Sequence, residues 1–257
     1  MRLRSVFSEG IMKNHFLPFV IAAAVVVLAG GCVAGNRTGT VGNAVISDEA
    51  LITLSREMRV VGDGENTVAP ESSRYVRRLT RLGERFANED DPKCAFKVYL
   101  AGDVEANATA DGAIRVYSGL MDMMTDNELL FILGHEVGHV KNGDCLDAVR
   151  MAYVSSEEVK MASVEGQAGE TGLSDAQLGN LLRAVLARRF SDAQESQADA
   201  YAYGLMRKYG LDTKAAVSAL RKLGSLDSDA GGMAGHQNAG ERAATIQTMI
   251  DADAGKK

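Results

Sequence analysis

Residues 125–143 read TDNELLFILGHEVGHVKNG, and the fold is decided here. Thr125, followed three residues later by Glu128, matches the capping box, in which the two residues satisfy each other's backbone N–H groups at a helix start. Gly143 is a natural stop, because glycine enters the left-handed conformation of a helix end without a Cβ penalty. The stretch therefore predicts a helix over Asp126–Asn142. Inside it lies His135-Glu136-Val137-Gly138-His139. At about 3.6 residues per turn, two histidines four apart project from one face at neighbouring heights. That spacing lets both imidazoles hold one zinc ion. Glu136 is turned by about 100° from His135, so its carboxylate flanks the metal and can take a proton from water activated there. Gly138, one turn past Gly134, costs a helix interior about 1 kcal/mol against alanine, which points to close packing or a substrate against that face.

Histidine usage strengthens the zinc reading. The chain has 4 His, and His15 belongs to the amino-terminal segment, so two of the remaining three lie in the motif. A catalytic zinc takes a third protein ligand and keeps one position open. Glu195-Ser196-Gln197-Ala198-Asp199 lies in a helical pattern and sets two carboxylates four apart on one face. Glu195 could reach the metal while Asp199 orients a histidine. The competing reading is a pair of surface carboxylates. Cys145, six residues after His139, is another possible ligand, although Asn142 stands where the corresponding metalloprotease class turns the chain with glycine.

Outward from the motif, the 257 residues are 46% hydrophobic and 24% charged, an ordinary globular balance. Helical periodicity covers 46–61, 72–86, 175–209 and 213–223, with a last short helix from Glu241; Ser47 and Ser72 are candidate N-caps. Residues 96–100 and 113–117 have strand character, and a turn-rich stretch, Gly102–Gly112, separates them. Ser163–Gly172 and Ser225–Gly240 are Gly-rich and weakly patterned, and loops are expected there. The sum is an α+β, mainly helical domain with a small sheet beside the motif helix. A net charge of −6 argues against nucleic acid as a partner, since phosphate contacts need a basic surface.

The amino terminus reads as an export signal. Residues 16–31, FLPFVIAAAVVVLAGG, are uncharged and follow Arg2, Arg4 and Lys13. A spanning helix needs about 20 apolar residues; this run is shorter, ends in small residues and meets Cys32 at once. Leu28-Ala29-Gly30-Gly31-Cys32 resembles bacterial lipoprotein signals, in which the Cys becomes the lipidated first residue. Val33, rather than Asp, follows it, a pattern similar to that of lipoproteins sent to the outer membrane. Cleavage there removes three cations and Glu9 and leaves the mature chain at −8, so attachment to a membrane would come from lipid on Cys32. Met12 is an alternative start. Residues 33–43 are Gly- and Thr-rich and read as a tether.

The HExxH motif followed by Glu195-Ser196-Gln197-Ala198-Asp199 resembles the HtpX-like and CAAX-prenyl-protease-like zinc endopeptidases, and the likeness extends over roughly Ser72–Arg242. Ile114–Glu128 adds to it. The resemblance implies a zincin-like metalloprotease domain with one zinc on His135, His139 and Glu195, Glu136 as catalytic base, and Asp199 as the partner that orients a histidine. His236 and Arg242 match a late His-x-x-x-x-x-Arg pattern, which puts His236 near the active site, as a latch on the zinc or a group that steadies the transition state. The family binds substrate extended beside an edge strand, here expected at Asn107, Ala108, Thr109, Ala110 and Gly112. This sequence departs from the family at Asp192, where Arg is usual, at Gln237, where Pro is usual, and at Asp144, where near relatives carry His.

These readings combine into a lipoprotein signal (1–31), a flexible tether (32–45) and a zinc metallopeptidase domain (46–257). The expected function is an endopeptidase on the periplasmic face of the bacterial outer membrane, cleaving unfolded or misfolded envelope proteins. The alternatives are a chaperone or assembly factor with a closed zinc site, and an aminopeptidase. Cys94 and Cys145 remain for a disulfide if Cys32 is acylated. Oligomeric state leaves no trace in the sequence.

Overall fold

The computed structural model describes residues 39–41, 44–86, 93–156, 171–227, 233, 235–236 and 238–255. The chain divides into Met1–Gly35 and Asn36–Lys257, and all described residues belong to the second unit. The signal, Cys32 and most of the tether lie outside the described residues.

In chain order the elements are β1 (Gly39–Val41), β2 (Ala44–Ile46), α1 (Asp48–Glu65), α2 (Arg74–Gly83), β3 (Ala95–Tyr99), β4 (Ala106–Ala108) and β5 (Ala113–Tyr117). Then follow α3 (Ser118–Met123), α4 (Asp126–Asn142), α5 (Asp144–Ser155), α6 (Asp175–Leu186), α7 (Asp192–Lys208), α8 (Lys214–Asp227) and α9 (Ala239–Ala254). The α+β, mainly helical class expected from the sequence is what the chain adopts.

Helix α4 forms where the sequence places it. Thr125 Oγ1 accepts the Glu128 N–H, the Glu128 carboxylate accepts the Thr125 N–H at 2.7 Å, and Gly143 ends the helix at φ +82°. Its residues from Glu128 to His139 are all buried. Phe131, Leu129, Ile132 and Leu133 pack with Val98, Ile114 and Val116 of the sheet and with Met206, Leu220 and Ile246 of α7, α8 and α9. Glu128, buried at the helix start, accepts from Lys222 Nζ at 2.7 Å and from Ser218 Oγ at 2.5 Å. A buried carboxylate is tolerable only when its lone pairs are filled in this way.

The sheet runs β3-β5-β4, with β3 parallel and β4 antiparallel to β5. Strand β4 thus stands at one edge. The edge expected from Asn107 through Gly112 is shorter than that: the strand stops at Ala108. Thr109 and Gly112 close a turn through Thr109 N–H to Ala113 O and Gly112 N–H to Thr109 O, both 2.9 Å, with Gly112 at φ +82°. Because Glu105, Asn107 and Thr109 face β5 through their backbone groups, the N–H and C=O of Ala106 and Ala108 point outward.

Two glycines fix the contact between α4 and α7. A Cβ on Gly138 would lie 3.0 Å from Ala198 Cα and 3.1 Å from its carbonyl oxygen, and one on Gly134 would lie 3.2 Å from Ala202 Cα. Glycine facing alanine lets the two backbones meet, which explains the propensity cost seen at Gly138.

A second apolar cluster joins α1, α5 and α6 through Leu51, Leu54 and Met58 against Val149, Leu178 and Leu181. On its other flank α1 presents Asp63, which accepts from Arg115 Nε at 2.7 Å, Tyr99 Oη at 2.7 Å and Lys97 Nζ at 2.9 Å.

Several expectations need correction. The helix read as continuous over 175–209 is two helices: α6 ends at Leu186 and α7 starts at Asp192 on its own capping box, Ser191 with Gln194. Phe190 is drawn out of helical phase between them, its N–H donating to Gly235 O at 3.1 Å. Within the tether, Gly39–Val41 pairs antiparallel with Ala44–Ile46. Helix α2 is capped by Ser73 rather than Ser72, and ends in a 3-10 turn over Glu84–Phe86. Helices α3 and α5 follow their predecessors almost without a loop. No disulfide joins Cys94 and Cys145.

Candidate metal centre

The two histidines of α4 are oriented from behind. His135 Nδ1 lies 2.8 Å from Asp199 Oδ1, and His139 Nδ1 lies 2.8 Å from Asp144 Oδ2. A carboxylate facing Nδ1 holds the proton there and leaves the Nε2 lone pair for a ligand. Both Nε2 atoms turn inward and stand 3.0 Å apart. Glu195, on the first turn of α7, brings Oε1 to 3.5 Å from His139 Nε2 and Oε2 to 3.5 Å from His135 Nε2. His236 completes the ring with Nδ1 3.0 Å from Glu195 Oε1 and 3.1 Å from His135 Nε2. One ligand atom from each of the four residues lies within 4.8 Å of the others.

The donor set fits zinc. Inward lone pairs 3.0 Å apart beside a carboxylate repel one another unless a proton or a metal cation sits among them. Imidazole nitrogen and carboxylate oxygen are the ligands zinc takes. Glu136 Oε1 is buried with no hydrogen-bond partner, 3.6 Å from His236 Nε2. It is aimed into the same space and not engaged by the fold.

Electrostatics follow from burial and neighbours. Burial, with Arg242 and His139 adding to it, pulls His135 down to about 3. Burial also acts on His139, but the Asp144 and Glu195 hydrogen bonds outweigh it and raise it to about 9. A proton on His139 is what zinc would displace. For Asp199, burial pushes upward, but Arg242 and His135 overcome it and hold the carboxyl at about 2. Glu195 is likewise held below the carboxylate range: burial opposes this, and the His139 and His236 hydrogen bonds prevail. Burial raises Glu136, as suits a group that must accept a proton and return it.

Arg242 knits the back of the site. It donates to Asp199 from Nε and Nη2, both at 2.7 Å, and ion-pairs with Glu195. Phe190 stacks on His139, with ring centroids 4.0 Å apart and 15° between planes. A cavity opens beside Glu136 between Asn107 and Ala108 of β4, Cys145 and Ala148 of α5, Val185 of α6, and Phe190.

The structure thus brings His135, His139, Glu195, His236, Glu136, Asp199 and Arg242 together, and puts Asn107 and Ala108 on the cavity wall. Thr109, Ala110 and Gly112 do not line that cavity. Cys145 lines it but is not in the ligand cluster. Sequence reasoning did not find Phe190 or the role of Asp144. Asp144 follows the Gly143 stop directly, a signal that the chain turns it back toward His139. Asp192, one of the departures, accepts from Asn238 Nδ2 at 2.9 Å; Gln237 lies outside the described residues.

Comparison with known proteins agrees with this geometry. Residues 70–250 match the profile of peptidase family M48, and the chain belongs to that family. It is 35% identical over 245 residues to metalloprotease LoiP of Escherichia coli (strain K12), covering 91% of this chain and 96% of LoiP. To metalloprotease YcaL of the same organism it is 34% identical over 230 residues, covering 84% and 89%. A protease HtpX homolog of Burkholderia thailandensis is 27% identical over 266 residues, covering 93% and 86%. The crystal structure of S. mikatae Ste24p matches with a TM-score of 0.43 at 15% identity, over 76% of this chain and 55% of that one. The chain is a zinc metalloendopeptidase.

Two substitutions should lower zinc content by different routes. Glu195→Ala removes a carboxylate from the ring. Gly138→Val forces α4 and α7 apart, with an overpacking cost of about 1–3 kcal/mol. Metal analysis of purified protein should show both well below one zinc per chain, and the second should also melt earlier. Full occupancy in Glu195→Ala would place the third ligand elsewhere.

Proposed function

We propose that this chain is a lipid-anchored endopeptidase of the bacterial envelope that cleaves unfolded or misfolded proteins at a zinc held by His135, His139 and Glu195. The observation that carries the catalytic assignment is Glu136 Oε1, buried without a hydrogen-bond partner and 3.6 Å from Nε2 of His236, a member of the ligand cluster. Zinc in this ring would supply Lewis-acid polarisation of the scissile carbonyl and make a water acidic enough to deprotonate. Glu136 takes that proton and returns it to the leaving amine. Asp199 and Asp144 keep their histidines in the tautomer that leaves Nε2 free, and Arg242 holds Asp199 in place.

Substrate enters extended along β4, where the outward N–H and C=O of Ala108, on the cavity wall, can pair with its backbone. Recognition through backbone groups suits unfolded chains, because any sequence offers them once it is extended. His236 is read as a latch: its Nδ1 stands among the ligand atoms, so the residue occupies the position a substrate carbonyl needs. A role as oxyanion donor requires it to swing away first.

Glu136→Gln should abolish cleavage of casein and of an unfolded outer-membrane protein while zinc stays bound; retained cleavage would move the base elsewhere. A chaperone with a silent site would lose nothing in that variant. In the same assay His236→Ala should raise basal proteolysis, as a latch requires, whereas slower turnover at full zinc would favour the oxyanion role. An amino-terminally blocked peptide separates endopeptidase from aminopeptidase action.

The envelope assignment rests on the sequence of residues 1–33. Residues 1–31 are the signal, 32–45 the tether and 46–257 the peptidase domain. Among the described residues no helix is long and apolar enough to cross a membrane. In this reading Cys32, directly after the apolar run of residues 16–31, carries the anchor. Cys32→Ser should release the protein from the outer-membrane fraction or leave it unprocessed. Unchanged fractionation after cleavage at the same bond would remove the lipid anchor from this reading.

A further inference from the structure

Helix α1 lies before residue 70, where the match to the peptidase family begins. It nevertheless packs on one wall of the catalytic cavity and holds the turn that follows the other. Its apolar face packs on α5 and α6, which contribute Cys145, Ala148 and Val185 to one wall. Arg150 of α5 donates to Asp48 at 2.6 Å, and the Thr171 N–H ahead of α6 donates to Glu57 at 3.3 Å.

The opposite wall is β4, and α1 reaches that side too. Arg59 Nε donates to Asp111 Oδ2 at 2.8 Å, and Asp111 Oδ1 accepts from Thr109 Oγ1 at 2.6 Å. Thr109 and Asp111 form the turn that directly follows Ala108. One turn of α1 later, Asp63 grips Arg115 of β5, the strand to which β4 is paired.

We infer that α1 is a tie across the substrate cleft and that Arg59 and Asp111 are positioning residues, fixing the β4 edge at its distance from the α5–α6 wall. The inference rests on the reading of β4 as the substrate-binding edge. Neither residue touches the metal ring or Glu136, so their effect is on binding of an extended chain and not on bond cleavage. The Asp111 side chain is 7% exposed and that of Arg59 21%, which shields the pair from much of the screening that weakens surface ion pairs.

The test measures KM and kcat for an unfolded protein substrate in full-length, zinc-loaded enzyme. Arg59→Ala and Asp111→Ala should each raise KM roughly tenfold, within what misplacement by about an ångström can cost. Zinc content and kcat should stay unchanged. The double variant should be no worse than either single one, since both break the same contact, and Arg59→Lys should recover part of the loss. An unchanged KM in the single variants, or additive effects in the double, would overturn the tie. A merely structural role would lower the melting temperature and leave KM alone below the transition. Ala108→Pro, which deletes an outward N–H, separates the two readings. If it raises KM and Arg59→Ala does not, the tie fails and the edge stands; if it leaves KM unchanged, the edge reading fails and the tie with it.

Discussion

The metal ring depends on how closely α4 and α7 approach. Two histidines four apart come free with any helix, but the third ligand stands on another helix 56 positions after His139. A carboxylate side chain has a short reach, so Glu195 meets the imidazoles only if its helix lies almost backbone to backbone against α4. Gly134 and Gly138 facing Ala202 and Ala198 allow that distance, and a Cβ at Gly138, 3.0 Å from Ala198 Cα, would press the two backbones apart. The helix thus gives up propensity at two positions to bring a ligand within range, and the apolar cluster around Phe131 and Leu133 supplies the stability that offsets it.

Charge balance gives the second constraint. Among the described residues, Glu136, Asp144, Glu195 and Asp199 are all buried in and around the ring, and the buried guanidinium that faces them is that of Arg242. Four carboxylates and one cation leave an excess of negative charge in a medium that solvates it poorly, and breaking even one buried pair is costly. A divalent ion removes most of that excess and uses the inward lone pairs at the same time. Without it, a proton on His139 answers part of the demand, which is why Asp144 and Glu195 raise that imidazole to about 9 while burial lowers its neighbour to about 3. The carboxylates behind the histidines therefore serve two ends: they fix the tautomer, and they make the pocket demand a cation.

What could be read from the sequence was whatever local chemistry decides. The capping box at Thr125 and Glu128, the stop at Gly143 and the histidine spacing are all short-range, and α4 forms with the bounds they set. Glu195 and Asp199 were candidates from their spacing on a helical pattern, with a surface pair as the competing reading; the family's motifs decided for them and supplied His236 and Arg242, since nothing local says that residues so far apart meet. The failures have physical causes as well. Residues 175–209 keep helical periodicity across the break, because Phe190 is an apolar residue in phase with its neighbours. Only the stack on His139 and the bond to Gly235 pull it out. The Ser191–Gln194 capping box was the local sign that α7 starts afresh. Strand β4 has three residues in a Gly-flanked stretch, too short for period-two alternation to register. Its identity comes from pairing with β5.

Assembly of the centre is correspondingly late and non-local. Asp199 reaches His135 across 64 positions and His236 reaches it across 101, whereas only the His135–His139 and His139–Asp144 contacts are short-range. Loop closure over such distances is unfavourable until the intervening helices have packed. A chain with α4 formed but α7 and the His236 loop undocked has two histidines and no third ligand, so it cannot hold a catalytic zinc tightly. Hydrolytic competence is thereby coupled to completion of the same core that holds α4 and α7 together. For a peptidase, that coupling keeps the site unbuilt while its own polypeptide is still unfolded.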